Sequence, residues 1–179
     1  WLVSQWPRLS AVLKELHIFG SGPEEDQIRA LISDRRWQDQ VFCHGAYPSG
    51  QAYVDLLTSF DLTLLPTVGA EGAPLVLLES MACGVPFVAT DAGGIPDYRN
   101  VDCIITPKQS DEAYLLGIEQ MAASLTAGEI DQGRLQAFYQ AHFSFERLSE
   151  RWETFLRSAC VRNTRVTHEG PVASAPMSL

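Results

Sequence analysis

The chain has 179 residues, of which 46% are hydrophobic and 20% are charged, and its formal net charge is −9. This length suits about one domain with a sizeable core, and the charge argues against a nonspecific nucleic-acid binder, which must attract phosphates. No apolar run approaches the ~20 residues that cross a bilayer, and no signal peptide opens the chain. Because the first residue is Trp1 rather than Met, we expect a piece of a longer protein.

Five short apolar segments alternate with helix-like segments, as expected for strands joined by crossover helices. The predicted strands are Leu16–Gly20, Val41–Gly45, Asp61–Thr67, Pro86–Asp91 and Cys103–Pro107. The predicted helices between them are 24–37, 50–60 and a segment from Pro74 to about Cys83, with Gly84 as the C′ residue. Three further helices are predicted over 111–125, 129–143 and 144–159, and residues 161–179 lack periodicity and are predicted to form a disordered tail.

This alternation predicts an α/β fold, a Rossmann-like, doubly wound and mainly parallel sheet with helices on both faces. Such sheets bind ligands at the carboxyl ends of their strands. We therefore expect one domain over residues 1–160, with any binding site in the loops that follow the strands.

The cysteines and histidines do not form a recognisable metal or disulfide framework. The cysteines are Cys43, Cys83, Cys103 and Cys160, with no C-x-x-C among them, and the four histidines show no metal-like spacing. We predict reduced, mostly buried thiols, no metal site and a cytoplasmic location.

The first candidate phosphate site follows the first predicted strand, where Gly20 and Gly22 precede a helix. A dinucleotide fingerprint needs a third glycine, and Glu25 stands at that position. Glu24, Glu25 and Asp26 also fall in the first helical turn, where they offset the positive helix end and would repel a pyrophosphate. A nicotinamide or flavin site here is therefore a disfavoured alternative.

The second candidate site lies in "PTVGAEGAPLVLLE", before and within the fourth predicted helix. Pro74 fits the first helical position, where its missing N–H costs nothing. Gly69 and Gly72 allow the backbone to approach a ligand closely. Leu75 and Val76 then offer free N–H groups at the positive end of a helix whose first turn holds no acid, which makes this the better anion site.

Two acids, Glu71 and Glu79, lie on either side of this helix start. At about 1.5 Å of rise per residue, Glu79 lies roughly 7 to 8 Å along the axis from Pro74, too far for the acids to share one proton easily. They can instead flank a phosphate group, each accepting hydrogen bonds from sugar or ribose hydroxyls. The alternative is that Glu71 is a loop acid and Glu79 faces solvent.

The whole block "EGAPLVLLESMACGVPFVATDAGGIPD" resembles the E-x7-E region of the retaining glycosyltransferases of glycosyltransferase family 4, which have the two-domain GT-B architecture. Glu71, seven intervening residues and Glu79 fit that signature. "LHIFGSGPEEDQI", "VFCHGAY", "SFDLTLLPT" and "FSFERLSERWETFL" are also similar to family segments, in the same order. The resemblance covers about Leu16 to Leu156.

The resemblance implies the donor-binding half of an enzyme that transfers a hexose from a nucleotide-diphosphate sugar to an acceptor, with retention at the anomeric carbon. Glu71 would contact donor-sugar hydroxyls and support the positively charged transition state, and Glu79 would hold the ribose hydroxyls. The family generally needs no metal, because the helix dipole and basic side chains offset the diphosphate charge, so no cofactor is expected.

The backbone near these acids would form the rest of the donor site by the same resemblance. The implied residues are Gly72, Ala73 and Pro74 in the sugar pocket, Leu75 and Val76 at the diphosphate, and Gly45, Ala46 and Tyr47 beside the base.

The chain also departs from the family pattern. The Gly-Arg strand and the Lys that clamp the diphosphate in the family precede the segment seen here, and the amino-terminal acceptor domain is absent. Ala73 stands where the family often has a bulkier residue, and "NVDCIITP" lacks a glycine that the family commonly places before its last strand. We therefore expect the chain by itself to be inactive in turnover.

Two other functions remain open from the sequence. The chain could be a non-catalytic nucleotide- or sugar-binding or interaction module of the same fold, or an oxidoreductase that uses Gly20 and Gly22. The expected partners are a nucleotide sugar and the missing acceptor domain, with no nucleic acid, and with membrane association only through a parent protein. Self-association through an exposed domain face is a further hypothesis.

Overall fold

The computed structural model describes residues 1–69 and 71–166, with side chains as far as Cys160. One compact unit covers Trp1–Tyr139, and a second begins at Gln140. The strands are β1 (Leu16–Phe19), β2 (Val41–Gly45), β3 (Thr63–Leu65), β4 (Phe87–Thr90) and β5 (Ile104–Thr106). The α-helices are α1 (Trp6–Leu9), α2 (Glu25–Asp34), α3 (Gln51–Thr58), α4 (Leu75–Ala82), α5 (Asp111–Thr126), α6 (Gln132–His142) and α7 (Phe145–Val166), and short 3-10 helices cover Leu2–Gln5 and Ile95–Tyr98.

All paired strands run parallel, as the alternating pattern predicted. β1 pairs with β2, and β4 lies between β3 and β5. The hydrogen-bonded ladders thus form two sheets rather than the single sheet expected from the sequence. Parallel strands that are connected through helices are characteristic of a Rossmann-like α/β fold, so the predicted class is confirmed.

The core of the first unit explains why β4 reads as a continuous apolar run. All four residues of this strand are buried, which is typical of a parallel strand covered on both faces. Helix α5 packs against β4 and β5, and the hydroxyl of its buried Tyr114 donates to the carbonyl of Val88 at 3.0 Å. That bond satisfies a phenol that would be costly to bury unpaired.

An ion pair between the buried Asp102 and the half-exposed Arg134 stands near the place where the sequence lacks the family's glycine. Asp102 is 1% exposed, and it accepts hydrogen bonds from the guanidinium of Arg134 and from the backbone N–H of Asp131. Burial by itself would raise the pKa of Asp102, but these bonds hold the pKa below its ordinary value. The pair ties the start of α6 to the segment before β5.

The prediction about the cysteines holds only in part, and the predicted tail lies mostly outside the described residues. The four cysteines are thiols rather than disulfides, as predicted, but only Cys103 is buried, while Cys43 and Cys83 are half-buried and Cys160 is exposed. Cys160 is exposed because it lies on α7, whose described residues are solvent-exposed. This helix runs to Val166, into the segment predicted to be a disordered tail, and residues 167–179 lie outside the described residues.

Candidate functional site

The loop between β3 and α4 brings the second candidate site to the carboxyl end of its strand. Helix α4 begins at Leu75, and Pro74 is its N-cap with an extended backbone (φ −65°, ψ 110°). The prediction that Pro74 occupies the first helical position was therefore wrong by one residue, because its ψ angle is not helical. At the other end the prediction was right: Gly84 follows the Cys83 C-cap with φ 75°.

The N-terminus of α4 is open to an anion. Its N-cap makes no side-chain hydrogen bond, and its first turn holds no acid. The first bond in the helix runs from the N–H of Leu77 to the carbonyl of Pro74 at 3.2 Å, so the N–H groups of Leu75 and Val76 precede it without intrahelical partners. Leu75 is 66% exposed. A negatively charged ligand could therefore reach these two N–H groups.

Two glycines after β4 hold the backbone that carries Glu71. The N–H of Gly94 donates to the Glu71 carbonyl at 3.1 Å. A Cβ atom at Gly93 would overlap the backbone of Glu71, and one at Gly94 would overlap the carbonyl of Gly72. This close approach requires glycine at both positions. The half-buried side chain of Glu71 thus sits on a loop backed by a second loop.

A further contact secures the beginning of the same loop. The hydroxyl of Thr90, at the end of β4, donates to the carbonyl of Thr67. Thr90 also lines a cavity of about 140 Å³ at the carboxyl ends of β3, β4 and β5, together with Lys108 and Ser110. One exposed cation, Lys108, and one exposed acid, Asp111, therefore lie at the edge of the sheet from which α4 departs.

Glu79 is half-buried on α4 and has one side-chain hydrogen bond within the described part of the chain. The hydroxyl of Tyr53, in the first turn of α3, donates to Glu79 Oε2 at 2.6 Å. Burial raises the pKa of Tyr53, and the bond to Glu79 raises it further, so the phenol stays protonated. The ring of Tyr47 stacks on Tyr53, with centroids 5.1 Å apart and planes 30° apart.

These contacts join the predicted base side of the site to its predicted ribose side. Gly45 is half-buried and ends β2, and the exposed residues Ala46 and Tyr47 follow directly. Tyr47 is 55% exposed, and its ring stacks on Tyr53, which in turn donates to Glu79. The loop residues Gly72 and Ala73 are exposed, beside the start of α4.

The first candidate site is organised differently. The backbone N–H of Gly20 donates to the carbonyl of Gly45 at 2.6 Å. Glu24, the first residue of the predicted helix, is instead the N-cap of α2, and Glu25 and Asp26 occupy the first turn. Glu25 also pairs with Arg29 at 2.8 Å. Carboxylates thus already surround the positive end of α2.

Two groups of residues in the site were missed by the sequence analysis. Tyr53 carried no signal, because a tyrosine on an amphipathic helix ordinarily packs in a core. Gly93 and Gly94 were quoted as part of the block but were given no role. A Gly-Gly pair three residues after a buried strand is a signal of close backbone approach, and it could have identified them.

Other classes of site were sought among the described residues. Within residues 1–69 and 71–160, no group of three or more His, Cys, Asp or Glu side chains is arranged to hold a metal ion. None of the described helices combines the length and the apolar character needed to cross a membrane.

Comparison with known proteins gives one family match. Residues 1–124, more than half of the chain, match the family described as glycosyl transferases group 1. The chain is 40% identical over 90 residues to a putative colanic acid biosynthesis glycosyltransferase of Escherichia coli K12, covering 48% of this chain and 22% of that protein. It is 30% identical over 149 residues to an amylovoran biosynthesis glycosyltransferase of Erwinia amylovora, covering 76% of this chain and 36% of that protein. The chain thus matches only about a fifth to a third of the length of these relatives.

The fold is also found in solved structures. The crystal structure of Anabaena HepE in complex with UDP-glucose superposes with a TM-score of 0.63 at 21% identity, over 80% of this chain and 41% of that chain. At this identity the likeness concerns the fold alone.

Proposed function

The chain belongs to the glycosyl transferases group 1 family, and we propose that it is the part of such an enzyme that binds the nucleotide-diphosphate sugar. The parent reaction would transfer a hexose from that donor to an acceptor, with retention at the anomeric carbon. The acceptor would be held by a domain outside this chain, in a cytoplasmic setting. By itself the chain would bind donor without turnover.

One observation carries the proposal: α4 presents an uncapped, acid-free N-terminus between two carboxylates. Glu71 precedes the helix on a loop backed by Gly94, and Glu79 lies within the helix, one turn after its start. From Leu75 to Glu79 the rise is about 6 Å, enough to separate a diphosphate at the helix start from a ribose beside Glu79. A solved structure of the same fold was obtained with UDP-glucose bound, which is consistent with a ligand of this class.

Each proposed contact follows from the chemistry of the groups at that place. The N–H groups of Leu75 and Val76 would bind the diphosphate, with Gly72, Ala73 and Pro74 shaping the adjacent sugar pocket. Glu71 would accept hydrogen bonds from sugar hydroxyls and oppose the positive charge that develops at the anomeric carbon. Glu79 would accept hydrogen bonds from the ribose hydroxyls, and the base would lie beside Gly45, Ala46 and Tyr47.

We further propose that the site needs no metal ion. The partial positive charge at the start of α4 favours an anion, and Lys108 lies at the same edge of the sheet. In the parent protein, basic side chains outside this chain would add to that charge. Addition of EDTA should therefore leave nucleotide affinity unchanged.

The second candidate is a non-catalytic module of the same fold. The open α4 terminus favours it as much as it favours an enzyme, because both would bind a nucleotide. Transfer activity of the full-length parent, with and without Glu71→Gln, separates them: a module would show no transfer at all.

The test of donor binding is calorimetric titration of this chain with UDP, GDP and ADP, and with their common hexose conjugates. We expect weak, saturable binding of one nucleotide class. Glu79→Ala should weaken that binding by about 1 to 3 kcal/mol, the scale of a charged hydrogen-bond acceptor.

The matched control is Asp26→Ala, which removes an exposed acid from the first turn of α2. This change should leave nucleotide affinity unaltered. Binding that responds to Asp26→Ala but not to Glu79→Ala would move the site to the first junction. Absence of binding to every nucleotide, or binding of a nicotinamide dinucleotide alone, would contradict the proposal.

A further inference from the structure

We propose that Tyr53 is a positioning residue that holds the Glu79 carboxylate ready for the ribose hydroxyls of the donor nucleotide. The inference rests on the proposed function and deepens it, because it assigns a specificity role to a residue that the family resemblance does not include. It starts from the 2.6 Å hydrogen bond between the Tyr53 hydroxyl and Glu79 Oε2.

The contact orients the carboxylate without neutralising it. Within the described residues no Lys, Arg or His forms an ion pair with Glu79. The phenol is neutral, because burial and the bond to Glu79 raise the pKa of Tyr53. One turn further along α4, burial and the charge of Glu79 raise the pKa of the Cys83 thiol, so this neighbour is also uncharged.

A carboxylate has about four lone-pair positions, and the phenol uses one of them. The others stay available to hydroxyl donors, and the net negative charge makes those bonds strong. A vicinal diol can then bind both carboxylate oxygens at once, provided that the carboxylate plane is fixed. Fixing that plane is the role that we assign to Tyr53.

The position of Tyr53 in the chain supports this role. Its backbone N–H donates to the carbonyl of Gly50, the N-cap of α3, at 3.1 Å, so the residue is rigidly placed in the first helical turn. Its ring stacks on Tyr47. The same side chain therefore contacts both the residue proposed to lie beside the base and the acid proposed to bind the ribose.

The test compares Tyr53→Phe with the wild-type chain, since this change removes one oxygen and keeps the ring stack. Each protein is titrated with UDP, GDP or ADP, whichever the wild type binds, and with the 2′,3′-dideoxy form of that nucleotide. Tyr53→Phe should weaken the ribonucleotide about three- to tenfold, the scale of one hydrogen bond, and leave the dideoxynucleotide unchanged. A purely structural role would weaken both nucleotides equally.

Two controls make the comparison specific. Tyr139→Phe removes a hydroxyl from a half-buried tyrosine on α6, outside the proposed site, and should leave both affinities unchanged. In a Glu79→Ala background, Tyr53→Phe should have no further effect, because the phenol acts through that carboxylate. Thermal unfolding of each variant checks that the fold is retained.

The outcomes separate the two proposals. If the wild type binds no nucleotide, or binds one without dependence on Glu79, the proposed function and this inference both fall. If binding depends on Glu79 while Tyr53→Phe changes neither affinity, or changes both equally, only the positioning role of Tyr53 is overturned.

Discussion

The two strand-to-helix junctions of the first unit look alike in sequence and differ in charge. Each has glycines between a strand and a helix: Gly20 and Gly22 follow β1, and Gly69 and Gly72 follow β3. The first turn of α2 contains acids, whereas the first turn of α4 contains none.

The backbone support of the two junctions differs as well. A Cβ atom at Gly22 would meet nothing within 4 Å, whereas one at Gly94 would overlap the loop that carries Glu71. The first junction is thus open but has acids in its first helical turn, whereas the second is backed by the segment after β4 and has no acid in that turn. Glycine spacing alone therefore does not identify a phosphate site; the charge of the helix start decides.

The largest effect that separates the junctions should come from adding a methyl group to Gly94, which backs the second junction, and to Gly22 in the first. Gly94→Ala places a Cβ against the carbonyl of Gly72, so the loop must shift, and we expect a loss of about 1 to 3 kcal/mol of unfolding free energy. Nucleotide binding should weaken with it. Gly22→Ala is the matched control and should be nearly neutral.

Chemical denaturation measures the unfolding free energy of each variant, and calorimetry measures its nucleotide affinity. Equal stability of the two variants would mean that the loop before α4 is not held by the segment after β4. The difference between the junctions would then rest on charge alone.

A second prediction concerns a variant in which the start of α4 carries an acid, as the start of α2 does. Leu75→Glu puts a carboxylate in the first turn of α4 at a position that is 66% exposed. The protein should stay folded, because an acid suits a helix N-terminus, while affinity for a nucleoside diphosphate should fall by about 1 to 2 kcal/mol. Glutamine has the same size as glutamate but no charge, so Leu75→Gln should bind the nucleoside diphosphate nearly as the wild type does.

These variants are compared by titration at low and high salt. The penalty of Leu75→Glu should shrink as ionic strength rises, since exposed charges are screened. Equal affinities of the Glu and Gln variants at low salt would show that the diphosphate does not bind at this helix end.

The smallest effect is expected at the first junction. Glu25→Gln removes the exposed pair with Arg29 and should cost only about 0.3 to 0.5 kcal/mol, the scale of a surface i, i+4 pair. It should not create affinity for NADH, because Asp26 and Glu24 remain. Fluorescence titration with NADH is the check, and saturable binding to this variant would revive the dinucleotide alternative.

Much of the fold could be predicted because it depends on local patterns. Short apolar runs of strand length, broken by helical periodicity, correctly predicted the five parallel strands. The end of α4 at Gly84 was also predictable, because a glycine past the last helical residue accommodates a positive φ. The predicted start of α4 at Pro74 was one residue too early, since proline fixes φ but not ψ.

The candidate site was predictable only for residues that lie on one continuous segment. Glu71 to Glu79 share a loop and a helix, so their spacing follows from helix geometry. Tyr53 and Gly94 contact that segment from 26 and 23 residues away, and no local pattern states which distant residues will face it.

By itself, therefore, the sequence determined the element types, the parallel class and the acid-free start of α4, because periodicity, turn residues and charge act within a few positions of the chain. Tertiary structure alone decided that Tyr53 donates to Glu79, that Gly94 supports Glu71, and that the ladders divide into two sheets. Such contacts are set by how strands and helices from separate parts of the chain pack together, and packing depends on the whole three-dimensional arrangement.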